Sequence, residues 1–279
     1  MRRLPVIATI REAYDFTFAN LGAIIGLIWL PMVLVTVAEF FVTQHYGTRV
    51  QEAMAAGNPN AAGPAALVLF LYMLSALALY AMMFTSVTQL ALGQRQGGAM
   101  IHFTFGAVEW RMFRTLFGVV LFLLLPYILF TLSAGSLTSG GATAQQGMAA
   151  VTSLLLLAGV LYFAVRLTAV LLPVVVTEEK GAVVRAWTLT VGNFWRLLGV
   201  MVAVILPLSL MMMLALAFLL RDSITPGVTP SPEAVAAIRN ANLPLTTGLS
   251  FLVAPLMIGL TVGASVFSFK ALTRTDVSV

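Results

Sequence analysis

The chain has 279 residues, of which 60% are hydrophobic and only 9% are charged, and its mean hydropathy is +1.00. A soluble domain carries about 25% charged residues, so a globule of this composition could not cover its surface in water. The net charge is +5, but the basic residues flank apolar runs. This pattern argues against a nucleic-acid partner and favours anionic lipid headgroups. The absence of cysteine excludes disulfides, thiolate catalysis and Cys-type metal sites.

The N-terminal segment, MRRLPVIATIREAYDF, begins like a signal peptide. Arg11, Glu12 and Asp15 interrupt it before an apolar core of signal length develops, so we expect it to be retained. Apolar residues opposite these charges recur at helical spacing and predict an amphipathic helix in the membrane interface: Ile10, Tyr14, Phe18 and Leu21.

Six stretches reach the roughly 20 apolar residues that a transmembrane helix requires. They are residues 20–43, 65–92, 115–134, 149–176, 197–220 and 247–270. Breaker-rich connections separate them, and Ser231, Pro232 and Glu233 predict the start of a short surface helix that ends near Asn240. The sequence therefore predicts an all-α integral membrane protein with six transmembrane helices in a single domain, residues 1–279.

The basic residues predict the orientation of these spans. With six spans, twelve of the 15 Lys and Arg residues fall on the side of the two termini, and only Arg49, Arg221 and Arg239 fall on the other. Connections rich in Lys and Arg stay in the cytoplasm. Both termini are therefore predicted to be cytoplasmic.

Charged and aromatic residues concentrate in TEEKGAVVRAWTLTVGNFWRLLG, residues 177–199. One helical face carries Val183, Trp187, Val191, Phe194 and Leu198, and the opposite face carries Arg185, Thr188, Gly192 and Arg196. This spacing predicts one interfacial helix over residues 181–196, with Trp187 at the acyl boundary and Arg185 and Arg196 at lipid phosphates.

The connection before the third span has a similar pattern. Its apolar face is formed by Ile101, Phe105, Val108 and Met112. Trp110, Arg111 and Arg114 lie near the membrane entry, so these two arginines are also predicted to bind lipid headgroups.

A threefold repeat is predicted from FANLGAIIGLIWLP, FRTLFGVVLFLLLP and FWRLLGVMVAVILP. In each, Leu follows Phe by three residues and Pro follows it by thirteen, which aligns Pro31, Pro126 and Pro207. The predicted units, each an interfacial helix and a helical hairpin, are residues 1–93, 94–177 and 178–270. Each proline frees a backbone carbonyl within a span, and we favour a packing kink over a gating hinge.

Residues 166–200, RLTAVLLPVVVTEEKGAVVRAWTLTVGNFWRLLGV, resemble a bacterial family. They are similar to the six-span membrane domain of some glycerophosphodiester phosphodiesterases and to YciC-like inner-membrane proteins. The resemblance rests on Arg166, Leu172-Pro173, Glu178-Glu179 and VVRAWTLTVGNFWRLLG, with Ala186 where serine is usual and Val191 where a basic residue often lies.

The resemblance implies a six-helix module of the bacterial inner membrane. It does not imply phosphodiesterase activity, because fused relatives carry catalysis on a soluble barrel. The longest stretch between spans here is a loop of under about thirty residues, which is too short for a domain.

Two ionisable residues stand out within the spans. Arg166 interrupts an apolar run and is expected either to pair with Glu178 or Glu179, if Pro173 folds the chain back, or to snorkel to the headgroups, which we favour. Glu39, near the end of the first span, is interpreted as reaching the interface, with a proton or cation site as the alternative. Gly259 and Gly263 form a G-x-x-x-G spacing, which favours close helix packing.

No metal, nucleophile or phosphate-loop motif is present, and no cofactor is expected. The leading hypothesis is a non-enzymatic inner-membrane module that binds anionic lipid, a partner membrane protein or a second copy of itself. A transporter or flippase of a lipid or small amphipathic molecule is the alternative, and a membrane-embedded hydrolase ranks third. A polar cavity that reaches Arg166 would favour transport.

Overall fold

The computed structural model describes residues 3–47, 49–50, 53, 59–95, 105–135, 144–178, 180–220 and 242–273. Within these ranges the chain is helical and contains no strand. The elements in chain order are α1 (Val6–Ala19), α2 (Leu21–Val42), a π-helical turn (Thr43–Gly47), α3 (Pro59–Ala91), α4 (Ala107–Gly135), α5 (Ala144–Thr168), α6 (Leu171–Thr177), α7 (Ala182–Leu189), α8 (Phe194–Leu220) and α9 (Leu243–Thr273).

Five helical stretches in the described part are long and apolar enough to cross a membrane. They are Leu21–Gly47, Gly63–Ala91, Ala150–Thr177, Phe194–Phe218 and Leu243–Thr273. This confirms a multi-pass helical membrane protein. The third predicted span, residues 115–134, lies within α4, and the count of six spans stays a prediction. The predicted surface helix after Ser231 lies outside the described residues.

The centre of the bundle is formed by α9 and α6. The long helix α9 packs against α1, α2, α3 and α8, and it buries Ile258, Val262 and Val266. The short helix α6 packs against α3, α4 and α9, and its residues Leu171–Val176 are all buried. Apolar side chains on every face of α6 explain its position, because a helix without a polar face gains most by being enclosed.

Helix α1 crosses α9 at very short distance. A Cβ added at Gly263 would lie 3.1 Å from the Cα of Ala13, and one at Gly259 would lie 2.7 Å from the Cγ2 of Thr17. The G-x-x-x-G spacing therefore does allow close packing. The interfacial face predicted for α1 stays a prediction: Phe18 is exposed on the protein surface, and the residues that α1 buries within the bundle are Thr9, Ala13 and Thr17. Small residues of α1 face α9 because only small side chains allow the two backbones to come this close.

Prolines lie within the long helices without ending them. Pro31, Pro126 and Pro207 are internal to α2, α4 and α8. The predicted break at Pro173 was misplaced, because the chain turns at residues 169–170 and Pro173 is the third residue of α6. Proline is tolerated there because the amides of a first helical turn have no intrahelical acceptor.

The single interfacial helix predicted over residues 181–196 is two helices. Helix α7 ends at Leu189, Gly192 has a φ of 76°, and α8 begins at Phe194. Glycine at 192 favours the end of a helix, and asparagine at 193 favours the start of the next one. These two local preferences outweigh the apolar periodicity that runs through both helices. In the second unit α4 starts at Ala107 and runs unbroken, while residues 96–104 lie outside the described part. The threefold repeat stays a prediction.

Candidate functional site

A groove of about 780 Å³ lies between α4, α5, α6 and α7. Its walls are mainly apolar, and the side chains and backbone that form them include Gly118, Val119, Phe122, Phe163, Leu167 and Val175. Val119, Leu167 and Val175 are buried residues that form its floor. The groove lies where α4 and α5 pair as a hairpin and α7 packs against α6 and the part of α5 near Phe163.

The rim of the groove is basic. Arg111 and Arg114 project from the first turns of α4, with Thr115 and Glu178 beside them. Arg111 donates one long hydrogen bond, 3.4 Å from its Nη1 to the carbonyl oxygen of Glu178. Its buried Nε has no hydrogen-bond partner among the described residues. The two guanidinium groups that line the groove make this rim suited to an anionic ligand.

Arg185 and Glu178 form an ion pair of 3.3 Å at the same rim. The pair neutralises both charges, so Arg111 and Arg114 supply the net positive charge there. Arg114 is exposed, and its guanidinium lies 5.9 Å from the centroid of the Trp110 ring. This rim therefore presents two cations beside an aromatic ring at the entrance of an apolar groove.

A second apolar cavity of about 530 Å³ lies beside the groove, between α4 and α5. Phe122 and Phe163 line both spaces, and the second reaches Pro126 and Gly159. Arg114 and Pro126 are twelve residues apart on one helix, a rise of about 18 Å. Half of a bilayer's hydrocarbon core is about 15 Å thick, so the combined space spans the depth of one leaflet.

Trp187 forms one wall of the groove. Its ring stacks on Phe163, with the centroids 5.6 Å apart and the planes 21° from parallel. The guanidinium of Arg166 lies 3.6 Å from the centroid of the Trp187 ring. The predicted anchoring of Trp187 in the acyl boundary stays a prediction; within the protein its ring packs against Phe163 and Arg166.

Arg166 is 6% exposed and fully enclosed by polar and aromatic groups. Its Nε donates to the Thr190 hydroxyl at 3.3 Å, its Nη1 donates to the Tyr162 hydroxyl at 2.9 Å, and its Nη2 donates to the carbonyl oxygen of Trp187 at 2.7 Å. These bonds join α5 to the end of α7. The residue neither snorkels nor lines the groove; it fixes the wall that Trp187 provides.

The predicted pairing of Arg166 with Glu178 is wrong. Glu178 pairs with Arg185, and Glu179 lies outside the described residues. The physical reason is the chain path: a turn at residues 169–170 and the seven-residue helix α6 lie between residue 166 and residue 178. Neutral oxygens from Tyr162, Thr190 and Trp187 replace a carboxylate, and sequence spacing gives no indication of Tyr162 or Thr190 as partners.

Arg196 has a partner within the protein, and its predicted headgroup contact stays a prediction. Its Nη1 donates to the carbonyl oxygen of Leu4 at 2.9 Å, and the Leu4 amide donates to the Asn193 Oδ1 at 3.1 Å. These two hydrogen bonds hold the N-terminal segment against the start of α8. Glu39 lies near the far end of α2, away from the groove. In the described part of the chain, no three His, Asp or Glu residues are close enough to hold a metal ion.

Comparison of the chain with protein-family models, with curated proteins and with solved structures finds no match. Its function must therefore be argued from the groove itself.

Proposed function

We propose that the chain is a non-enzymatic module of the bacterial inner membrane that binds an anionic phospholipid in the groove between α4, α5 and α7. The observation that carries the proposal is the basic rim formed by Arg111 and Arg114, above apolar spaces that together extend over about the depth of one leaflet. The phosphate would lie at Arg111 and Arg114, and one acyl chain would lie along Gly118 and Phe122.

The two arginines are the source of headgroup selectivity. A basic residue near an anionic surface contributes about 1 kcal/mol, so two give roughly 2 kcal/mol in favour of an anionic over a neutral headgroup. The apolar walls accept any acyl chain and do not discriminate. The module therefore selects by headgroup charge.

Replacing Gly118 with leucine should block the acyl part of the groove. A Cβ at Gly118 meets nothing within 4 Å, so the added side chain can enter the groove without a clash. Native mass spectrometry of protein from mild detergent should show loss of the copurified anionic phospholipid. Gly159→Leu, in the second cavity, should shorten the retained acyl chains.

Gly22→Leu is the matched control, because Gly22 also lies in a helix with open space at its Cβ and lines neither cavity. It should retain the same lipids as the unaltered chain. Equal lipid retention by the Gly118 and Gly22 variants would contradict the proposal.

A transporter or flippase is the alternative, and a scaffold for a partner membrane protein or a second copy is compatible with lipid binding. Arg166 lines none of the described cavities, and their walls are mainly apolar. A transport path for a charged molecule would need polar lining groups through the bundle. These observations favour binding over transport.

The proposal includes six spans with both termini in the cytoplasm. Reporter fusions after Gly141 and after Val228 should report the outer side, and fusions after Gly97 and at the C-terminus should report the cytoplasm. We expect this result because connections rich in Lys and Arg stay in the cytoplasm. One reversed fusion would refute the six-span arrangement.

We also propose membership of the membrane-domain family that residues 166–200 resemble. The support is that three motif residues, Arg166, Trp187 and Thr190, contact one another. A shared contact cluster gives a physical reason for these residue types to occur together.

A further inference from the structure

A second cleft of about 600 Å³ lies between α3, α8 and α9. Aromatic and thioether side chains from all three helices line it, including Phe84, Met212, Met213 and Met257. Tyr80 and Phe84 stack with their ring centroids 6.2 Å apart. Aromatic faces attract cations, and methionine adapts to ligands of varied shape.

A small cavity of about 60 Å³ adjoins this cleft and carries a carboxylate. Tyr80, Ser250, Ala254 and Ile258 line both spaces, and Glu39 lines the small one. Glu39 is the only charged residue that lines either space in the described part of the chain. No hydrogen bond or ion pair of its side chain is seen among the described residues.

We propose that this cleft is a second binding site, for a cationic amphipathic molecule whose ammonium group meets Glu39 and whose aromatic or apolar body fills the space between α3, α8 and α9. Charge complementarity identifies the occupant. Glu39 is exposed, and a carboxylate without an ion pair beside an apolar, aromatic cleft attracts an organic cation more than a neutral or anionic lipid. The site is independent of the basic groove and has the opposite charge preference.

The location of the cleft determines which side supplies the ligand. Lys270, near the end of α9, donates to the carbonyl oxygen of Ala91 at the end of α3, so these two helix ends meet at one face of the bundle. Glu39 lies near the C-terminal end of α2, which is joined to the start of α3 at the other face. In the proposed topology that face is the outer one, so the cation would enter from outside.

The test uses purified full-length protein in neutral-detergent micelles and two rhodamine dyes. Rhodamine 6G is an aromatic cation, and rhodamine B is a zwitterion of similar shape at neutral pH. Fluorescence anisotropy should show at least about tenfold tighter binding of rhodamine 6G, which corresponds to one decade in Kd. Glu39→Gln should remove this difference, whereas Glu12→Gln, on the exposed face of α1, should preserve it.

A second pair of variants tests the space itself. Ser250→Phe places a ring in both cavities and should weaken binding of rhodamine 6G, while Gly248→Phe on the same helix should not. Both positions are exposed, so neither change disturbs the buried core. The proposal is overturned if rhodamine 6G does not bind, if Glu39→Gln binds it unchanged, or if Ser250→Phe and Gly248→Phe behave alike.

Discussion

Replacing Arg166 with methionine should lower the free energy of unfolding by about 2–4 kcal/mol, because three hydrogen bonds donated by its guanidinium would be lost and charge-assisted hydrogen bonds each contribute about 1.5–3 kcal/mol. The carbonyl oxygen of Trp187 loses its 2.7 Å partner, and the Tyr162 hydroxyl loses another. The stacking of the guanidinium on Trp187 is lost as well. Thermal or denaturant unfolding in detergent would measure the change.

Two further variants separate charge from geometry at this position. Arg166→Lys keeps the charge but cannot direct three N–H groups along the planar fork, so it should destabilise the protein by an intermediate amount. Arg114→Gln, at an exposed arginine, should change stability by less than about 0.5 kcal/mol. If Arg166→Met were as stable as Arg114→Gln, the connection between α5 and α7 would not depend on Arg166.

The double change Arg111→Gln and Arg114→Gln should weaken binding of a short-chain anionic phospholipid about 30-fold. Two basic residues contribute roughly 2 kcal/mol, and 1.36 kcal/mol corresponds to a factor of ten. Binding of a zwitterionic phospholipid with the same chains should change little. Titrations in neutral-detergent micelles at two salt concentrations would measure both, and added salt should weaken only the anionic lipid, since ions screen exposed charges.

Arg11→Gln is the control for the loss of basic residues from the rim. Arg11 is an exposed arginine on α1 and forms an ion pair of 3.5 Å with Asp15. It should leave both affinities unchanged. A loss of anionic-lipid affinity equal to that of the double variant would mean that binding follows net charge alone and that the groove has no role.

The sequence predicts a helical, multi-pass membrane protein well. The bilayer requires apolar side chains over a fixed length of helix, so composition and the length of apolar runs indicate it directly. The five stretches that can cross a membrane all overlap predicted spans. The sequence was less informative about short elements. Periodicity merged α7 and the start of α8 into one helix, although Gly192-Asn193 carried the stop signal.

The candidate site was predictable at its rim and not in its interior. Arg111 and Arg114 were selected because basic residues at the membrane entry meet headgroups. Trp187 was predicted to lie in the membrane interface. Its position in the protein is set by Phe163 and Arg166, which belong to a different helix. Contacts between helices distant in sequence leave no periodic signal, so neither the groove nor the bond to Thr190 could be read from spacing.

Cross-linking from Phe122 tests lipid binding in the groove most directly. Phe122 lines both cavities, so a photoreactive benzophenone residue at this position should capture phospholipid acyl chains in intact membranes. The same residue at Leu214, which is 66% exposed on α8, should capture bulk lipid. We expect anionic phospholipids to be enriched several-fold in the adducts from position 122 over those from position 214. Identical lipid composition at the two positions would contradict the account.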